Sequence, residues 1–102
     1  SAFTAKLIND NGLFCIASFV APSQAIRERV AETIGQGRML TVYLTADEAT
    51  RRSRDERGQY KAADEGKLLN FPGVTATYEV PENPTLTLDT GKLSVPECIE
   101  QI

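Results

Sequence analysis

Three short runs rich in apolar residues, 13–19 (LFCIASF), 39–44 (MLTVYL) and 85–88 (TLTL), are each followed within a few residues by a helix-starting signal. A strand that leads into a helix and then into another strand must cross over to pair in parallel. The order therefore predicts an α/β chain, a parallel sheet with crossover helices. Residues 13–19 lack clean alternation and follow the turn Asn9-Asp10-Asn11-Gly12, which reads as a strand covered on both faces. Upstream, Phe3, Leu7 and Ile8 have helical spacing, and Asn11-Gly12 should end that helix. From the N-cap candidate Ser23, a second helix places Ile26, Val30 and Ile34 on one face and stops at Gly35. Thr45-Ala46-Asp47-Glu48 and Ser94-Val95-Pro96-Glu97 both match the capping box. They predict a short helix over 47–53 and a terminal helix carrying Cys98, Ile99 and Ile102. Between them lie a run with four Arg in seven positions (51–57), a helical stretch near 60–66, and a loop over 70–84 with three prolines, too long for a plain connector.

Composition narrows the function. Eleven Lys and Arg against 14 Asp and Glu give a net charge of −3, and 41% of residues are hydrophobic. This excludes a polybasic nucleic-acid arm and a highly charged disordered chain. The absence of His removes Ser-His-Asp and Cys-His catalysis. No window is apolar enough to span a bilayer, and the first residues lack the blocks of a signal peptide. The expectation is a soluble cytoplasmic chain with neither nucleic-acid nor membrane partners. Cys15 and Cys98 lack metal-ligand spacing and sit in apolar surroundings, so two buried free thiols are expected.

Ligand sites of parallel sheets lie beyond the carboxyl ends of the strands, which directs attention to the loops after Phe19, Leu44 and Leu88. The first, Val20-Ala21-Pro22-Ser23, opens a helix; it is either a phosphate or sulfate cradle or an ordinary strand-to-helix turn. The Arg run is either a solvated face or a set of anion ligands.

Taken in order, Ser18-Phe19-Val20-Ala21-Pro22, Arg54-Asp55-Glu56-Arg57-Gly58-Gln59-Tyr60-Lys61, Asn70-Phe71-Pro72-Gly73-Val74, Tyr78-Glu79-Val80-Pro81-Glu82-Asn83-Pro84 and Leu88-Asp89-Thr90 resemble the carboxyl-terminal part of the adenylylsulfate kinases. The resemblance implies a P-loop kinase-like fold, with residues 1–102 supplying the last three strands as the lid and substrate-binding half of a single domain. It implies transfer of the γ-phosphate of MgATP to the ribose 3′-hydroxyl of adenylylsulfate. ATP with Mg²⁺ would be held through a P-loop half, and an ATP sulfurylase is the implied fused or associated partner, with a homo-oligomer as the expected assembly.

Residue by residue, the family segment S-F-I-S-P falls on Ser18, Phe19, Val20, Ala21 and Pro22, which would line the adenylylsulfate pocket. The second serine, phosphorylated in some members, is here Ala21. The arginine five residues after the motif proline is Arg27. The lid motif R-D-x-K-G-L-Y gives Arg54, Asp55, Gly58 and Tyr60, with Arg57 in place of Lys and Gln59 in place of Leu. A guanidinium at Arg57 still holds phosphate oxygens bidentately. Beyond it, the family lysine and arginine are replaced by Ala62 and Asp64, and Lys61 is left to reach the same anion. Losing two such cations removes charge-assisted bonding worth about 1 to 3 kcal/mol each. In F-T-G-I/V, Phe71 would stack on the substrate adenine and Gly73 is retained, with Pro72 for Thr. No catalytic residue and no metal ligand is assigned within the chain.

The sequence has no G-x-x-x-x-G-K-[ST], so these residues alone do not supply the phosphate-binding amides, Lys and Mg²⁺-binding hydroxyl of phosphoryl transfer; a piece of a larger polypeptide is expected. The strand order of related kinases, 2-3-1-4-5, makes 13–19 strand three and 39–44 strand four, with the P-loop strand between them. Those two runs are therefore expected to pair directly or to borrow a strand. Three functions stay open: part of an active kinase, a degenerate module binding a nucleotide to regulate a sulfurylase, or an assembly piece without ligand.

Overall fold

A computed structural model describes residues 1–102. They divide into two compact units, 1–40 and 41–102. The first contains helices α1 (Ala2–Asp10) and α2 (Gln24–Ile34) and a 3₁₀ turn, Gln36–Arg38. Helices α1 and α2 pack against each other, and Asp10 accepts from Lys6 at 2.6 Å and Arg38 at 2.7 Å. These bonds, Lys6 first, hold the Asp10 carboxyl below its ordinary range. As expected, α1 ends at Asn11 and α2 at Gly35. Ser23 stands at the N-cap of α2, though its side chain makes no capping bond.

The second unit contains strands β1 (Val42–Thr45) and β2 (Leu86–Asp89) and helices α3 (Glu48–Ser53), α4 (Gln59–Asp64) and α5 (Val95–Gln101). The strands pair in parallel, Val42 opposite Leu86 through Thr45 opposite Asp89. This is the pairing expected of strands four and five. Thr residues close both ends of the ladder: Thr85 N–H donates to Thr41 O at 2.8 Å, and Thr90 N–H to Thr45 O at 2.8 Å. The alternation of β2 is realised, with Leu88 1% exposed and Thr87 facing solvent. The buried apolar residues are Ala63 of α4, Leu88 of β2 and Cys98 of α5.

Four expectations are corrected. Residues 13–19 form no strand, and every residue from 11 to 20 is exposed; Phe14 is 99% and Ile16 97% exposed. Leu13 bonds back to α1, its N–H donating to Ile8 O at 3.3 Å; without a ladder partner on either side, the rest of the run leaves its N–H and C=O groups to water. Two of the three expected strands are therefore formed, neither pairing of 13–19 with 39–44 occurs, and Cys15 is exposed, not buried. The capping box at Thr45–Glu48 does not form, because Thr45 is the last residue of β1 and its carbonyl serves the ladder. The cap falls on Asp47, whose carboxylate accepts from Thr50 N–H at 2.7 Å. The second box is complete: Glu97 N–H donates to Ser94 Oγ at 3.3 Å and Ser94 N–H to Glu97 Oε2 at 2.7 Å. No helix is long and apolar enough to cross a membrane.

Candidate functional site

In the first unit, Ser18, Phe19 and Val20 lie in the exposed irregular stretch, while Ala21 and Pro22 are half-buried at the entrance to α2. Ala21 has φ 39°, a left-handed conformation that a residue with a Cβ adopts at a cost of about 1 to 3 kcal/mol. Its carbonyl accepts from the Arg27 guanidinium, which also donates to Gln24 Oε1 at 3.1 Å. Arg27 thus braces the turn in which the family motif sits.

The second unit gathers the other motif residues. Arg54, at the C-cap of α3, donates from Nη2 to Thr90 O at 2.8 Å and from Nη1 to Thr90 Oγ1 at 3.2 Å, tying the end of α3 to the end of β2. Asp55 accepts from Tyr60 N–H at 2.8 Å, which sets the first turn of α4. Gly58 caps that helix at φ 65°, a backbone that favours glycine, so the turn into α4 depends on it. Arg57 and Lys61 project from this turn and from α4 into solvent, and neither forms an ion pair. Their charge is therefore free for an anion.

Phe71 is half-buried, not splayed into solvent. Its ring meets Tyr60 edge to face, 5.0 Å between centroids at 88°. The loop around it is bonded to itself: Phe71 N–H donates to Thr75 Oγ1 at 2.6 Å, and Phe71 O accepts from the N–H groups of Val74, Thr75 and Ala76 at 3.1, 2.9 and 3.0 Å. Gly73, at φ 87°, donates to Ala76 O at 2.7 Å and closes the turn. An open concavity runs along residues 73–78. Asp64, expected as a reversed lid charge, is neutralised by Arg52 at 2.7 Å. The sequence gives Arg52 no role of its own and places Thr90 only within the segment Leu88-Asp89-Thr90; the four-Arg run held the signal for Arg52, but nothing in it distinguished the clasped arginine from its free neighbours.

A parallel strand pair joined through short capped helices is the α/β arrangement of the P-loop kinases. The structure of an adenylylsulfate kinase from Mycobacterium tuberculosis, solved with AMPPNP and APS, superposes on it with a TM-score of 0.89 at 24% identity, covering 98% of this chain and 58% of that one. The family model described as adenylylsulphate kinase matches residues 1–89, and the chain belongs to that family. It is 45% identical over 102 residues to the bifunctional enzyme CysN/CysC of Rhodopirellula baltica, covering 100% of this chain and 16% of that protein. It is 40% identical to an adenylyl-sulfate kinase of Bacteroides thetaiotaomicron over 101 residues, 99% of this chain and 50% of the other. The chain spans half or less of the length of these two relatives.

Proposed function

We propose that residues 1–102 are the carboxyl-terminal, lid and substrate-binding half of a single adenylylsulfate kinase domain, acting in a polypeptide that moves the γ-phosphate of ATP to the 3′-hydroxyl of adenylylsulfate for sulfate assimilation. The observation that carries this reading is the segment 54–61: Arg54 and Asp55 are spent on fixing the fold, which leaves Arg57 and Lys61 unpaired in the same segment as Tyr60, the residue that meets Phe71 edge to face. Two exposed, unpaired cations suit phosphate and sulfate oxygens, and a ring held by its own loop suits a planar base. Ser18 to Pro22 and Arg27 form the other substrate-binding segment, with Gly73 shaping the Phe71 loop.

ATP with Mg²⁺ would be held through a P-loop half that these residues do not include. No three acidic, His or Cys side chains converge, and the phosphate-cradling motif is not among the 102 residues. No step of phosphoryl transfer is therefore assigned to them. Their part is to bind and orient adenylylsulfate and to bring cationic charge over the transferred group. A sulfurylase, fused or associated, is the proposed partner, in a soluble cytoplasmic homo-oligomer. A second reading, a degenerate module that binds the nucleotide to regulate the sulfurylase, is favoured by Ala21, by Ala62 and by Asp64, whose charge is committed to Arg52.

Phosphoryl transfer from ATP to adenylylsulfate is to be assayed in the complete polypeptide. Arg57→Ala should lower turnover or affinity at least about threefold, the loss of one charge-assisted contact. Phe71→Ala should raise the KM for adenylylsulfate with little change in Tm. Binding without turnover selects the regulatory reading; a large fall in Tm with a normal KM makes Phe71 a core residue.

A further inference from the structure

Arg52 meets three side chains at once. Its Nη1 and Nη2 donate to Asp64 Oδ2 and Oδ1 at 2.7 and 3.4 Å, its Nε donates to Glu48 Oε1 at 2.8 Å, and its Cζ lies 4.9 Å from the centroid of the Tyr60 ring. A planar guanidinium matches a carboxylate with one edge while its face lies on an aromatic ring, a combination that an ammonium does not reproduce. From Tyr60 the contacts continue to Phe71, edge to face at 5.0 Å. One continuous chain of side chains thus joins α3, α4 and the Phe71 loop. Its links are also fixed from the backbone, by Asp55 on Tyr60 N–H at 2.8 Å and by Thr75 on Phe71 N–H at 2.6 Å.

We propose that Arg52, clasped between Glu48 and Asp64, is a positioning residue that holds the Tyr60 ring and through it sets the orientation in which Phe71 is offered to the purine base of the nucleotide ligand. The proposal rests on the reading of Phe71 as the base-stacking residue. A ring already held in its bound orientation loses less freedom when the base arrives, so the benefit falls on affinity. Asp64 then has a positive role. It is the counter-ion that keeps the Arg52 fork over Tyr60, and its acidity is a requirement of this clasp where a basic residue would repel Arg52.

The test has two readouts. In the NMR spectrum of the chain, Arg52→Ala should collapse the ring-current shifts of the Phe71 and Tyr60 ring protons toward random-coil values, and Arg52→Lys should restore them only in part. In the complete polypeptide, Arg52→Ala should raise the KM for adenylylsulfate about five- to tenfold, in line with one lost cation–aromatic link, and change kcat less than about twofold. A folded Arg52→Ala protein with the Phe71 shifts intact overturns the proposal whatever the kinetics. If Arg52→Ala does not fold, Asp64→Asn carries the same readouts. Collapsed shifts with Phe71→Ala raising KM and Arg52→Ala leaving it unmoved also overturn the positioning role. Collapsed shifts with KM unmoved by Phe71→Ala overturn the base-stacking reading instead, and with it the ligand half of the proposal.

Discussion

Residues 13–20 and strand β2 invert the usual relation between hydrophobicity and burial. The first stretch carries Leu13, Phe14, Ile16, Phe19 and Val20, and all of them are exposed. The second reads Leu-Thr-Leu-Asp, half of it polar, yet it buries Leu88 to 1% exposure. The difference is a neighbour. Strand β2 has β1 alongside it in register, so its backbone is satisfied and one face is free to pack. An apolar run becomes a strand through its partner, and the partner is not written in the run.

The largest contrast should appear in thiol chemistry. Cys15 lies in the exposed stretch and Cys98 is buried on α5, so an aromatic disulfide reagent should label Cys15 on the order of a hundredfold faster in the native chain, the gap closing in denaturant. Equal rates would erase the difference between the two regions. Next, Leu88→Ala should cost about 2 to 5 kcal/mol in urea unfolding, the range for emptying a buried leucine site. Ser94→Ala should cost about 1 kcal/mol by removing the formed cap of α5.

Acid should loosen the same caps. The Thr50 backbone N–H holds the Asp47 carboxyl, and the Ser94 backbone N–H the Glu97 carboxyl, below the usual carboxylate range. A carboxyl with a depressed native pKa stabilises the fold above its unfolded pKa and loses that contribution as pH falls through the native value. Helical circular dichroism should therefore decline as pH falls below about 5 and on through the lowered native values, less steeply in Glu97→Gln. The smallest effect is expected at Ile16→Ala, within about 0.5 kcal/mol in this chain. A cost of about 2 kcal/mol or more there would mean that 13–20 is covered, and would end the comparison.

The parts of the fold legible in the sequence are those with local causes. Helix α5 announces itself through Ser94 and Glu97, which satisfy groups within one turn of themselves, and α2 through its apolar spacing and Gly35, while Ser23 marks its start without a capping bond. The Thr45–Glu48 box has the same letters and fails, since Thr45 is claimed by a ladder whose other side lies 44 residues away. The candidate site divides the same way. Motif spacing marks Arg54, Asp55, Arg57 and Phe71, but only the folded chain separates the arginines that brace, Arg52 and Arg54, from Arg57, which stays free. Arg52 and Asp64 stand 12 positions apart, and nothing in the sequence joins them.

The sheet is two strands wide, so each strand is also an edge. A row of unsatisfied donors and acceptors along such an edge is a template on which another strand can add without any change of side chains. Parallel sheets ordinarily escape this by being covered and extended on both sides. Here the exposure is limited by brevity, because four residues per strand leave little rail for a wrongly registered neighbour to grip. Lengthening either strand by a few alternating residues would therefore give a neighbouring strand more rail to pair along.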